Sequence, residues 1–236
     1  DSFYADNGSD TVVETASAAA GLTDTIFASV NFTSLVTVER LYLTGASNLN
    51  GTGVNDQNDV IYGNSGNNIL DGLTGADNMN GGLGNDSYYV NTSADIVTEA
   101  AGAGTGLDTI FAQTGYTTSL NAERLYLLNG GNYNATGRDG QNDFLAGNDG
   151  ANAIDGFSGD DTIRGGLGND TLTGGAGIDI FQFLTTPQTA ANRDTITDFS
   201  PADDVIQLDN FAYPLLTTNG ALAVNLFRNL TLGAQD

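Results

Sequence analysis

The sequence predicts an all-β chain wound as a parallel β-solenoid. Three observations carry this. A nine-residue period recurs in two blocks, each period pairing a polar, glycine-rich stretch with a large apolar residue at a fixed place. The blocks sit inside a longer self-similarity, in which Asp24-Thr25-Ile26-Phe27-Ala28 returns 84 residues later as Asp108-Thr109-Ile110-Phe111-Ala112. The composition suits many tight turns around a thin core, with 32 glycines in 236 residues and only 8% aromatic residues.

Residues 1–53 form the insert that opens the first long unit. Short β-type runs stand at Thr11-Val12-Val13, Thr25-Ile26-Phe27 and Leu41-Tyr42-Leu43. They are expected as wider coils continuing one solenoid, with a helical turn or small bulge at Ala16 to Ala20. Residues 54–89 hold nonapeptides starting at Val54, Gly63, Gly72 and Gly81. Their sixth positions are Asp59, Asn68, Asp77 and Asp86, and their eighth positions Ile61, Leu70, Met79 and Tyr88.

Residues 90–137 repeat the insert, with runs at Ile96-Val97, Thr109-Ile110-Phe111 and Leu125-Tyr126-Leu127. Glu39-Arg40 returns as Glu123-Arg124, an acid and a base at matching solenoid positions and candidates for pairing between coils. The run Gly102-Ala103-Gly104-Thr105-Gly106 reads as a flexible turn, because a phosphate loop needs a Lys and a following helix. Residues 138–182 hold nonapeptides starting at Arg138, Gly147, Gly156, Gly165 and Gly174. Their sixth positions are Asp143, Asn152, Asp161, Asp170 and Asp179, and their eighth positions Leu145, Ile154, Ile163, Leu172 and Phe181. Residues 183–236 are read as a capping segment.

The spacing has a physical reading of its own. Glycine reaches positive φ cheaply, so six glycine-rich residues can turn sharply and aim carbonyls inward. The next three residues are extended, and only the middle one points to the core. Two nonapeptides then make one coil, and turns two repeats apart stack. Each stacked pair offers carboxylates and carbonyls, which suit a cation that takes about 6–8 oxygens at about 2.3–2.6 Å.

Charge supports a cation. The chain has 29 acids against 6 bases, all six of them Arg, for a net charge of −23. Such a chain repels itself when compact, and divalent metal is the natural offset. Nucleic acid is excluded as a partner by the missing basic footprint. With no Cys and no His, disulfides, thiolate or His-ligated zinc and His-based catalytic triads are excluded within the chain. No stretch approaches a membrane span. Two carboxylates alone could serve a glycosidase, but nearly every Asp already has a place in the repeat, so the chain is not expected to be an enzyme.

Residues 81–89, 165–173 and 174–182 resemble the RTX, or haemolysin-type, nonapeptide Gly-Gly-x-Gly-x-Asp-x-U-x, a named calcium-binding β-helix repeat. The resemblance implies a calcium-loaded β-roll with a defined ligand register. One ion takes carbonyls from positions one and three plus the Asp of one turn, and carbonyls from positions two and four plus the sixth residue of the turn stacked on it. Carried over, Gly81, Leu83 and Asp86 meet Asn64, Gly66 and Asn68. Gly156, Ser158 and Asp161 meet Asp139, Gln141 and Asp143. Gly165, Leu167 and Asp170 meet Asn148, Gly150 and Asn152. Gly174, Ala176 and Asp179 meet Phe157, Gly159 and Asp161. A weaker pair joins Gly72, Thr74 and Asp77 to Asn55, Gln57 and Asp59. That implies about five calcium ions. Asn68 and Asn152 each remove one charge and so predict weaker sites. The segment from Asp194 to Leu208 resembles the one that closes RTX rolls in bacterial exoproteins, with Asp194, Asp198, Asp203 and Asp204 as candidates for one more ion.

The resemblance also implies a secreted bacterial protein, extracellular or on the cell surface. Its calcium partner would fold it outside the cell and so support type I secretion, the export machinery engaging a C-terminal signal not recognisable in this chain. The alternative is a structural surface protein, such as a surface layer, adhesin stalk or filament, with self-association through solenoid ends.

Overall fold

The computed structural model describes residues 1–12, 23–99, 106–184 and 192–208. Among these, all regular structure is strand, every strand pairing is parallel, and the strands stack as a β-solenoid of about nine coils. A ten-stranded sheet runs along one side, from Phe32–Thr33 through Ser87–Val90, Thr109–Ala112 and Thr162–Arg164 to Val205–Leu208. On the other side a six-stranded sheet, Ser2–Ala5 to Ile96–Thr98, is succeeded by a five-stranded sheet, Tyr116–Thr117 to Thr195–Ile196.

The nonapeptide explains the coil. In Thr162–Arg164 the outer two side chains are half-buried and the middle one is buried, and Asn78–Asn80 likewise buries only its middle side chain. All nine residues at position eight, from Ile61 to Phe181, are at most 1% exposed and join one continuous core cluster. Strands one coil apart pair in register, as Phe144 pairs with Thr162 and Leu145 with Ile163. Each coil therefore spends 18 residues and sets two apolar side chains inward.

The inserts continue the solenoid, but not uniformly as wider coils. Asp86 reaches its stacked counterpart Asp108 after 22 residues, and Asp108 reaches Glu123 after only 15. Asp24 and Glu39 are likewise 15 apart. The narrow coils carry the Thr-Ile-Phe-Ala and Arg-Leu-Tyr-Leu strands, whose four residues bury alternate side chains. The strand expected at Thr11-Val12-Val13 is not formed at its described residues. The Asp10 carboxylate instead accepts the backbone N–H groups of Asp6 and Asn7 and closes a local turn, and Thr11 and Val12 are irregular. Val13, Ala16 to Ala20 and residues 102–105 lie outside the described residues.

One feature of the winding is invisible in the repeat itself. Thr25–Ala28 lies in the six-stranded sheet, whereas its copy Thr109–Ala112 lies in the ten-stranded sheet on the opposite side. Nine half-coils separate the two, an odd number, so the second long unit is rotated by half a turn relative to the first. Two aromatic rows mark this. Tyr4, Phe27, Tyr42 and Tyr62 stack along one side at centroid spacings of 4.4–5.4 Å. Tyr89, Phe111, Tyr126 and Phe144 form the equivalent row on the other. Arg164 extends the second row, its guanidinium 5.2 Å from the Phe144 ring centroid.

Because each coil has only two core side chains, losing one is costly. Ile163→Ala is expected to lower the stability of the calcium-saturated chain by about 2–5 kcal/mol. Ile178→Ala, at a side chain 54% exposed, should change it by no more than about 0.5 kcal/mol. Urea denaturation followed by circular dichroism compares the two.

Candidate metal centre

The glycine-rich turns are shaped by two left-handed positions, the second and fourth of the nonapeptide. In the turn starting at Gly174 these are Gly175 (φ +103°) and Gly177 (φ +147°). A Cβ on Gly175 would fall 1.6 Å from the Phe157 carbonyl oxygen, and one on Gly177 would fall 2.0 Å from that of Gly159. The turns thus stack backbone against backbone, with carbonyl oxygens from the neighbouring turn pressed into the space where a side chain would stand. Where the motif is degenerate at position two, Leu73 and Phe157 still take φ of 60° and 71°, a conformation that costs a non-glycine residue about 1–2 kcal/mol.

The sixth residues form ladders. The Asn68 N–H donates to Asp86 Oδ1 (2.6 Å), the Asp86 N–H to Asp108 Oδ1 (2.7 Å), and the Asp108 N–H to Glu123 Oε2 (2.9 Å). A second run joins Asp143, Asp161, Asp179 and Asp204 in the same way. Others join Asp59, Asp77 and Asp95, and Asn152, Asp170 and Asp194. Every nonapeptide sixth residue is at most 2% exposed. One carboxylate oxygen is therefore satisfied by a backbone amide, while the second oxygen of Asp77, Asp86, Asp161, Asp170 and Asp179 is buried with no hydrogen-bond partner. Anionic oxygens in that state are strongly unfavourable unless a cation completes them.

The surroundings of those oxygens fit a cation. A Cβ on Gly156 would stand 2.2 Å from Asp161 Oδ2 and 2.7 Å from the Gly174 carbonyl oxygen. At Gly147 it would stand 2.1 Å from the Gly165 carbonyl and 2.6 Å from Asn152 Oδ1, and at Gly63 it would stand 2.2 Å from the Gly81 carbonyl and 2.3 Å from Asn68 Oδ1. Gly53 and Gly137 repeat the arrangement, with Asp59 beside the Gly72 carbonyl and Asp143 beside the Gly156 carbonyl. In all five stacked pairs the position-one carbonyl and the sixth residue of the facing turn share one small space. Oxygen donors alone, carboxylate and carbonyl, suit a hard cation.

Other candidate ligands hold the turns to one another. The carbonyls of Asn64, Asn148 and Phe157 accept the N–H groups of Leu83, Leu167 and Ala176. Those of Thr74 and Ser158 accept from Asp56 and Gly140. The Asn55 side chain accepts the Thr74 hydroxyl and that of Asp139 accepts the Ser158 hydroxyl. Gln57 and Gln141 donate their amides to Asp59 and Asp143. Gly66, Gly150 and Gly159 present carbonyls to the turn stacked above, at Gly84, Gly168 and Gly177. The two Asn at position six also gain an explanation. Their side-chain amides donate to the Leu49 and Tyr133 carbonyls at 2.9 Å, which a carboxylate could not do. Asn ends a ladder where the next coil offers an acceptor rather than a donor.

Several ladder members were not among the candidate ligands. They are Asp95, Asp108 and Glu123, and Glu39, which accepts the Asp24 N–H. Glu39 and Glu123 thus bond backbone amides, not the adjacent Arg. The missed signal is an acid two residues before a buried apolar side chain, as in Asp108-Thr109-Ile110 and Glu123-Arg124-Leu125, the same offset as positions six and eight. The four acids of the closing segment do not gather at one point. Asp194 accepts from Asp170, whereas Asp198 accepts from Gly174 and Gly175, and Asp204 accepts from Asp179 and Ser200. They extend two separate ladders.

Burial pushes these carboxyls up. Desolvation is the largest cause throughout, and neighbouring ladder carboxylates add to it. Asp77, Asp108 and Asp161 rise to about 7, and Asp86 and Asp143, where burial acts against backbone hydrogen bonds, to about 6. Asp170 and Asp194 are both raised by burial.

The profile of the RTX calcium-binding nonapeptide repeat (4 copies) matches residues 54–88, 139–172 and 147–181. The chain carries RTX calcium-binding repeats, and the matched segments are those in which the stacked turns and their carboxylate ladders lie. No curated protein and no solved structure shows significant similarity to the chain.

The raised carboxyls fix a pH dependence for the calcium-stripped chain. A carboxyl whose folded value lies above its unfolded one stabilises the fold fully below the unfolded value, near 4, and loses that contribution as pH rises through the folded value, here about 6–7. Without calcium the β signal in far-ultraviolet circular dichroism should therefore be stronger at pH 5 than at pH 8. Equal signals at the two pH values would contradict burial of these groups in the metal-free fold.

Proposed function

We propose that this chain, which carries RTX calcium-binding repeats, is a calcium-folded β-roll module of a secreted bacterial protein, ordered by extracellular calcium and so favouring one-way export through a type I system. The observation that carries the reading is the row of buried carboxylate oxygens with no hydrogen-bond partner, at Asp77, Asp86, Asp161, Asp170 and Asp179. Each lies in a stacked turn rich in backbone carbonyls. A calcium ion at each stacked pair supplies two positive charges where the fold concentrates negative ones. About five ions, one per pair, would contribute roughly +10 against the formal −23.

The ligand sets follow the stacked pairs. Asp161 belongs to two of them, facing Asp143 on one side and Asp179 on the other. Asp86 closes the set formed with Asn68, and Asp170 the one with Asn152. In the cytoplasm, where free calcium is scarce, the repulsion along each ladder keeps the chain unfolded. Outside the cell the ions fold it, and their binding free energy becomes folding free energy. The acids are absorbed by backbone hydrogen bonds and stacked turns, so the module acts as scaffold rather than catalyst. A structural role at the cell surface is the second reading. It is favoured by in-register parallel stacking over about nine coils, a geometry suited to a rigid spacer.

Titrating calcium into the chelator-stripped chain should produce a cooperative gain of β signal in far-ultraviolet circular dichroism, and magnesium should not. Asp161→Asn, which removes a charge from two adjacent sites, should move the calcium midpoint upward by on the order of tenfold, in line with how ligand charge tunes such sites. A β-rich spectrum unaffected by calcium removal at pH 8 would overturn calcium-dependent folding.

A further inference from the structure

Where the first nonapeptide block meets the second insert, the ladder gains a third acid from an unexpected direction. Carboxylate oxygens of Asp86, Glu99 and Asp108 lie within 4.8 Å of one another, and the three residues are 1%, 7% and 0% exposed. Asp86 and Asp108 are successive rungs of one ladder. Glu99 arrives from the other sheet. It follows Ile96–Thr98, whose Thr98 pairs with Asn80, so Glu99 is stacked on Gly81, the first residue of its nonapeptide. Every well-formed turn has Gly at that place, at Gly72, Gly81, Gly156, Gly165 and Gly174, and offers only a backbone carbonyl there. Here the place carries an acidic side chain, and that side chain is turned inward.

Two further observations point to a ligand. Asp86 Oδ2 and Asp108 Oδ2 are buried and have no hydrogen-bond partner, their other oxygens being taken by the Asn68 and Asp86 amides. The Tyr88 hydroxyl, fully buried at position eight, donates to Glu99 Oε1, and a Cβ on Gly81 would stand 2.3 Å from that hydroxyl and 2.1 Å from Asp86 Oδ2. The hydroxyl fixes the Glu99 carboxylate beside the open oxygens. All other position-eight residues of the two blocks are apolar, and Phe181 stands at the place equivalent to Tyr88. A tyrosine is needed only where a side chain at position one must be oriented.

We propose that Asp86, Glu99 and Asp108 form a divalent-cation site of a second kind, in which the Glu99 side chain takes the role that a glycine carbonyl has in the repeat. The inference rests on the calcium-binding reading above and adds a site outside its five pairs. Oxygens within 4.8 Å of one another can all touch one ion at about 2.3–2.6 Å. Three carboxylates give this site more negative charge than any pair of nonapeptide turns, which have at most two Asp and in two cases one Asp and one Asn. It is therefore the site expected to fill first, and it joins the two blocks at their boundary.

Native mass spectrometry of the calcium-loaded chain gives the first test. Glu99→Gln keeps the shape and removes the charge, and it should lower the bound-ion count by one while millimolar calcium still restores the β signal. Terbium, a luminescent ion of calcium's size, gives the second, because a tyrosine in contact with the site sensitises its emission. Tyr88→Phe, which installs the residue the second block already has at Phe181 and is so expected to fold, should lower tyrosine-excited emission at the first equivalent of terbium. An unchanged ion count in Glu99→Gln, or unchanged first-equivalent emission in Tyr88→Phe, would overturn this site while leaving the five pairs intact. An unsubstituted chain that takes up no calcium would overturn both readings. If Glu99→Gln fails to fold, the terbium measurement decides.

Discussion

The fold depends on a column of like charges held at the spacing of stacked coils. Parallel, in-register winding sets each sixth-position acid directly over the one below, and the backbone gives it a single N–H donor. That amide satisfies one oxygen and leaves the other facing its neighbours in a dry turn. Coulomb repulsion between buried carboxylates is far stronger than between surface ones, because little water is present to screen it. Much of the chain's unusual composition follows. Carbonyl oxygens must crowd in beside the carboxylates, so positions two and four of the turn take left-handed backbone and side chains are excluded there. Positively charged side chains are not used as counter-charges within the ladders, and the six Arg of the chain could not serve so many acids.

The core could not compensate for such repulsion unaided. A coil of 18 residues points two side chains inward, and the ordering of the remainder opposes folding at every residue. The core is well formed but thin, running as one continuous column from Ala5 to Phe181. Stability in a solenoid is close to a sum over neighbouring coils, so a missing ion would weaken its own stack first and the rest through it. The two Asn rungs illustrate how finely this is set. Asn68 and Asn152 lose a charge and gain a donor to Leu49 and Tyr133, at the points where each ladder borders a coil without an acid in the matching place.

The nonapeptide blocks were legible in the sequence because one residue type at position six and one at position eight repeat without a gap. Their strands, their buried residues and the stacking of alternate turns follow from that period. The inserts were less legible. Thr25–Ala28 and Arg40–Leu43 could be read as strands, but coil length there is set by loops without a period, so the narrow 15-residue coil did not show. Thr11 and Val12 have the residues of a strand yet are held in irregular backbone next to a local turn capped by Asp10. Glu99 escaped notice for a different reason. Its position in the repeat belongs to glycine, and a side chain there has meaning only once Asp86 and Asp108 are seen beside it.

The half-turn rotation between long units gives the molecule a parity. Adding or removing two nonapeptides leaves everything beyond them in phase, since a whole coil has been exchanged. Adding or removing one nonapeptide, or one complete 84-residue unit, inverts whatever follows: the face that carried one aromatic row now carries its absence. A chain built by duplicating this unit would show each surface marking on alternate sides, like the treads of a two-sided ladder. A partner approaching from one side would meet every second unit only, at twice the repeat length.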